Sequence, residues 1–201
     1  MNPLSQIIIA FITGVLGPIL IIIIKNKLDR SKDKPDMLTD TLRIGELVSL
    51  KIDNIREEYK ADRVWISQFH NGGHFYPTGK SIAKFSVIYE TVNINTSSIQ
   101  SNFQNIPVNL FTKSMNRLLD KDIIEISDFS DENIATFGLK YIAEDTGCKS
   151  GYLFAIKTID DKFIGILGLD YTKKKVKLNQ EDINHISVHA SSLGGALIST
   201  Q

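Results

Sequence analysis

The chain of 201 residues contains one cysteine, one tryptophan, five prolines and no net charge, with 23 Lys+Arg set against 23 Asp+Glu. A lone thiol, Cys148, can build neither an intramolecular disulfide framework nor a Cys-rich zinc site. Balanced charge gives no basic footprint for nucleic acid, so none is expected as a partner. The sequence also has no P-loop, no nucleophile elbow and no strong acid–base pair. An enzyme is therefore the weakest of the function classes, and no cofactor is implied. Isoleucine, by contrast, is abundant at about 30 residues. That bias fits an AT-rich genome such as a phage's and says nothing about chemistry.

Charge is missing locally as well. Residues 1–24 carry no Lys, Arg, Asp or Glu. Leu4–Ile24 is an apolar run that, at ~1.5 Å per residue, spans a hydrocarbon core of ~30 Å. No basic segment precedes it and no small-residue cleavage site follows, which argues for an uncleaved anchor in the bilayer rather than a signal peptide. Lys25, Lys27, Arg30, Lys32 and Lys34 follow the run, which places the C-terminal body in the cytoplasm and Met1 outside. Pro18, after Gly17, is expected to kink the helix and release a carbonyl that needs a partner in lipid. Ala10 and Gly14 form one small-xxx-small step. The expected organisation is a transmembrane anchor over residues 1–25, a basic polar linker over 26–36 and a single domain over 37–201.

The body alternates between helical and extended patterns. Leu38, Leu42, Ile44, Leu47, Val48, Ile52 and Ile55 form an amphipathic stripe. Arg63–His70 is β-branched and aromatic and runs into Asn71-Gly72-Gly73, a turn signal. Further strands are expected at Lys84–Val92, Ile99–Val108, Asp122–Ile126, Lys149–Thr158 and Lys162–Tyr171. Helices are expected at Asn109–Leu119 and Asp131–Glu144. In the last helix, Leu178–Ser199, residues Ile183, Ile186, Ala190, Leu193 and Leu197 recur at steps of 3, 4, 3 and 4. The order implies an α+β fold with a largely antiparallel sheet.

The closing stretch carries a resemblance. Gly151-Tyr-Leu-Phe-Ala-Ile-Lys is followed by Lys162-Phe-Ile-Gly165-Ile-Leu-Gly168-Leu-Asp170, and Leu178-Asn-Gln-Glu181-Asp182 opens the final helix. In these residues the sequence resembles the GAF domain family over about residues 40–200. It departs from the family at Ala155, where proline is frequent, and at Lys173-Lys174-Lys175, which replaces a Phe-rich stretch. The resemblance implies an antiparallel sheet of about six strands with the first and last helices packed on one face. A ligand pocket would lie on the other face, capped by about Ser127–Cys148. It also implies a small-molecule sensor, or an empty module that dimerises through those helices.

Several residues could serve such a pocket. His70 and Asn71, beside Gly72-Gly73, form either a pocket rim or a turn whose side chains bond the backbone. Lys84, Ser86, Ile88 and Glu90 share one strand face by period, opposite Phe85, Val87 and Tyr89. Turned into the pocket, Lys84, Ser86 and Glu90 would suit a zwitterionic or nucleotide-like ligand; turned to water, they are ordinary surface. Asp128 precedes an acidic cluster at an expected helix start, where capping competes with ligand binding. The signature of cyclic-nucleotide-binding members of the family is absent. Cys148 lacks the neighbours of a bilin-attachment motif and stands as a buried thiol. His70 and His74 have no third metal ligand. His185 and His189 are spaced i, i+4 with only Asp182 as a nearby extra donor, and are expected at a surface or interface.

These residues support a single-pass, cytoplasm-facing GAF-like sensor that signals through a separate protein. The rival is a ligand-free, membrane-tethered oligomeric scaffold, a phage lysis regulator being one variant.

Overall fold

The computed structural model describes residues 2–31, 37–75, 77–132 and 138–198. The chain divides into two compact units, residues 1–38 and 39–201.

The first unit is a helical run of α1 (Pro3–Phe11), a π-helical turn (Ile12–Leu16) and α2 (Gly17–Ser31). Ile9–Lys27 has a mean hydropathy of 2.1, long and apolar enough to cross a membrane. The π turn accounts for the proline. Pro18 has no N–H to donate, and Gly17 donates its N–H five residues back, to the Ile12 carbonyl. Such a turn re-registers the ladder where proline interrupts it. The Thr13 hydroxyl adds a bond to the Ile9 carbonyl at 2.8 Å. The helix continues through Ser31, so residues 26–31 of the expected linker are helical; residues 32–36 lie outside the described residues.

The second unit begins with α3 (Met37–Glu58), which starts two residues before the boundary. It holds a six-stranded sheet in the order β3-β2-β1-β6-β5-β4. The strands are β1 (Arg63–His74), β2 (Ser81–Val92), β3 (Ile106–Pro107), β4 (Ile123–Ile126), β5 (Ser150–Lys157) and β6 (Phe163–Tyr171). Every neighbouring pair is antiparallel. The remaining helices are α4 (Thr112–Lys121), α5 (Lys140–Thr146) and α6 (Gln180–Ile198).

Each face of the sheet carries its own core. On one side α3 contributes Val48, Ile52 and Ile55, and α6 contributes Ile183, Ile186, Ala190, Leu193 and Leu197. All five periodic α6 positions are buried. Residues three and four apart share a helix face, so the stripe read from the sequence is the seam laid on the sheet. Asn179 and Asp182 start α6 as a reciprocal capping box, each side chain accepting from the other's backbone N–H at 2.9 and 3.2 Å. Gly194 lets α6 close on β5, because a Cβ there would overlap the Lys157 carbonyl. On the other side, Met115 and Leu118 of α4 pack with Phe85, Ile124, Leu153 and Ile166.

Four expectations need correction. Asn71-Gly72-Gly73 is not the turn: β1 runs on to His74 through a bulge, and Phe75 N–H bonds the Lys80 carbonyl ahead of β2. A glycine pair signals a bulge and a turn equally well. The third strand is only Ile106–Pro107, because Pro107 removes a ladder donor. The helix expected at Asp131–Glu144 is found as Lys140–Thr146, closed by Gly147 at φ +68°; residues 133–137 lie outside the described residues. The helix expected at Asn109 starts at Thr112, after a 3-10 turn over Val108–Phe111.

Candidate ligand cavity

A cavity of about 60 Å³ lies against the sheet face opposite α3 and α6. Its floor is Trp65, Phe85, Val87, Leu153 and Ile166. Its roof comes from three regions: the β2–β3 loop (Ile99, Phe103), the 3-10 turn and α4 (Phe111, Met115, Leu118), and Phe129 with Leu139, Ile142, Ala143 and Cys148. The described residues of the expected cap at Ser127–Cys148 thus supply one of three parts. Nearly every wall is apolar, so the space favours an apolar occupant over a charged one.

The polar exception is ordered. Asp170 reaches the wall and is held by Arg63, whose Nε donates at 2.8 Å and whose Nη2 lies 2.7 Å away. Trp65 Nε1 donates to the same carboxylate oxygen at 3.0 Å. The second guanidinium arm donates to the Ser97 carbonyl at 2.8 Å. Gly168 makes room for the indole, since a Cβ there would overlap the Trp65 ring. Cys148 lines the cavity with its Sγ 3.1 Å from the Ser150 carbonyl. Burial, reinforced by the Asp170 carboxylate, pushes its pKa well above the thiol range, so it is a protonated, unreactive thiol.

None of the six predicted ligand residues lines this cavity. In β2 the faces follow from alternation up to Val87 and from a bulge beyond it. Ile66 pairs with Tyr89 but Ser67 with Val87, so Ile88 is the extra residue in β2. The alternation changes phase there. Phe85 and Val87 look into the cavity, whereas Lys84 and Ser86 share the opposite face. His70 pairs with Lys84, and its Nε2 sits 2.9 Å from Ser86 Oγ. Ser86 Oγ also accepts from Asn105 N–H at 2.9 Å. Asn71 is exposed beside them. This group ties β3 to the β1–β2 ribbon. Glu90, beyond the bulge, pairs with Trp65 on the cavity side. Its carboxylate accepts from the N–H groups of Ile99 at 2.8 Å and Gln100 at 3.1 Å, and from the Ser98 hydroxyl. Glu90 therefore positions the loop that carries Ile99 and Phe103.

Asp128 lies across the sheet, past β4 at the far edge. It accepts from Ser130 N–H at 2.9 Å and pairs with Lys175. The Lys175 ammonium, with help from Ser130, draws its pKa down to about 2. Asp128, Lys140, Glu144, Lys149 and Lys175 line a separate surface pocket of about 420 Å³ that shares Phe129 and Cys148 with the cavity. The residues that define the cavity were legible only as alternating apolar positions, a signal that core and ligand walls share.

Comparisons with known proteins follow the same division between fold and chemistry. No model of a known protein family matches the chain, and no curated protein matches it. Solved structures do. The chain is similar to a far-red cyanobacteriochrome photoreceptor, with a TM-score of 0.63 and 13% identity over 87% of this chain and 98% of that one. It is similar to the phycocyanobilin-bound GAF domain of a cyanobacterial phytochrome, with a TM-score of 0.61 and 17% identity over 82% and 92% of the two chains. It is similar to GAF3 from Slr1393 of Synechocystis sp. PCC6803, with a TM-score of 0.60 and 16% identity over 79% and 95%. The fold is GAF-like. At these identities the likeness extends to the fold alone.

Proposed function

We propose that the chain is a membrane-anchored sensing module whose GAF-like domain takes a small apolar molecule. The observation that carries this reading is the cavity itself, an apolar space between the sheet and a roof of three separate segments. At about 60 Å³ it is small beside the ~300–1,000 Å³ of drug-sized sites. A larger ligand has to move the aromatic roof, Phe103, Phe111 and Phe129, and that movement is the signal. The zwitterionic or nucleotide-like class is set aside, because Lys84 and Ser86 face away. A covalently attached bilin forms no part of the proposal: the Cys148 thiol is protonated, and the space is far below a linear tetrapyrrole's volume. No catalytic step is proposed.

The apolar helix anchors the module with its domain in the cytoplasm, and α3 and α6 carry occupancy to a separate protein. The test is extraction of the intact chain from membranes of the expressing cell in mild detergent, then native mass spectrometry before and after denaturation. A retained small molecule, lost in an Ala143→Phe variant that fills the cavity, supports the reading. Protease protection of tags at each end tests the orientation.

A second reading has its own observation. Leu47 and Leu50 on α3 are 55% and 61% exposed, and Val188 on α6 is 65% exposed. Apolar residues of this size on the two end helices favour a homodimer that scaffolds without ligand. An apo dimer that Leu47→Lys with Leu50→Glu converts to monomer in detergent transfers the conclusion to this reading.

A further inference from the structure

The end of α3 meets α6 at a cluster unconnected with the cavity. Glu58, His185 and His189 each offer one donor atom, and these atoms lie within 4.8 Å of one another. Glu58 Oε1 is 3.4 Å from His185 Nδ1, and the two imidazole centroids are 4.7 Å apart. His189 Nε2 is buried and has no hydrogen-bond partner among the described residues. A buried ring nitrogen with nothing to bond carries a desolvation cost that the fold leaves uncompensated. Tyr59 OH lies 2.7 Å from His185 Nδ1.

We propose that Glu58, His185 and His189 form a binding site for a divalent transition metal of the zinc class, joining α3 to α6. Two imidazoles one helical turn apart present their nitrogens on one face, and the neighbouring helix supplies a carboxylate. This N₂O donor set suits Zn²⁺, Co²⁺ or Ni²⁺ and is too nitrogen-rich for Mg²⁺ or Ca²⁺. Water completes the coordination, because His185 and Glu58 are about half exposed. Tyr59 holds the His185 ring as an outer partner, an arrangement that orients metal-bound imidazoles. His185 and His189 lie 127 and 131 positions after Glu58, so only the tertiary fold brings the three donors together.

The experiment is calorimetric titration of ZnCl₂ into the intact, chelator-stripped chain in detergent, with Co²⁺ absorption as a second readout. We expect one saturable site and a visible Co²⁺ band from nitrogen ligation. His185→Ala, His189→Ala and Glu58→Gln should each weaken Zn²⁺ at least about tenfold, since even outer-partner losses cost ~10–100-fold. His70→Ala with His74→Ala is the control and should bind as wild type. Ala143→Phe should also bind as wild type, so a failed sensor reading leaves this one standing. Absence of saturable Zn²⁺ binding and of the Co²⁺ band in the wild-type chain overturns the proposal. So does binding that follows His70 and His74 instead.

Discussion

The Arg63 guanidinium, with no exposed surface, holds Asp170 as its direct cross-strand partner at 2.7 Å between β1 and β6. Both charges are buried beside an apolar cavity, where each depends on the other. Arg63→Met leaves the carboxylate unpaired and should cost about 3–5 kcal/mol in denaturant unfolding. Arg63→Met with Asp170→Leu removes both charges and should recover most of that loss. If the double variant is no more stable than the single one, the pair is not what Arg63 contributes.

Trp65 makes a second close relationship. Its indole covers Gly168, and its N–H reaches Asp170 at 3.0 Å. Gly168→Ala drives a methyl into the ring and should cost about 1–3 kcal/mol, the usual range for overpacking. Trp65→Leu should make the same alanine nearly neutral in thermal unfolding, because the clash partner is gone. Equal cost in both backgrounds would place the strain in the backbone instead.

The pH dependence has opposite signs at its two ends. Burial alone would raise the Asp62 pKa, but N–H groups of Lys173 and Thr172 and the Lys173 ammonium outweigh it and lower the value. A depressed folded pKa stabilises above the unfolded value of ~3.9 and loses that contribution as pH falls through the folded one. Asp62→Asn should therefore flatten the loss of stability below about pH 4. Tyr59 is raised to about 12. Its contribution is complete below the unfolded value of ~10 and is lost as pH climbs from there toward the folded one. Tyr59→Phe should reduce that alkaline slope in urea-unfolding curves.

Sequence pattern made some of this legible. The 3-4-3-4 spacing of α6 marked a buried seam because helix period and burial coincide at every step. The alternation in β2 was read correctly as far as Val87 and failed at Glu90, because one extra residue at Ile88 changes phase without a compositional mark. Gly72-Gly73 read as a turn because glycine serves turns and bulges alike. The Glu58–His185–His189 cluster was half visible: i, i+4 histidines are local, whereas the carboxylate comes from a helix that only the sheet brings near. Asp170 was noted within a strand motif, but its pairing with Arg63 depends on β1 lying beside β6.

Cys148 gives a direct chemical check. Its thiol is buried and held protonated by burial and the Asp170 charge. Thiolate is the reactive form, so a disulfide reagent at mild alkaline pH should label the native chain slowly and the unfolded chain fast. Rapid native labelling would mean that the roof beside Phe129 opens readily.

The ligand class is tested by enlarging the cavity. Leu118 of α4 is fully buried on its wall. Leu118→Ala should cost about 2–5 kcal/mol, the transfer loss plus the space left behind. The new space is walled by Phe85, Met115, Ile126 and Leu153, and dry apolar cavities of this kind accept benzene-like guests. Benzene or indole should therefore raise the thermal midpoint of the variant more than that of the wild type. Imidazole, similar in size but polar, should not, because it must shed water without gaining a partner. An equal response to imidazole would mean that the site is wetter than its walls imply, and the apolar ligand class would have to be abandoned.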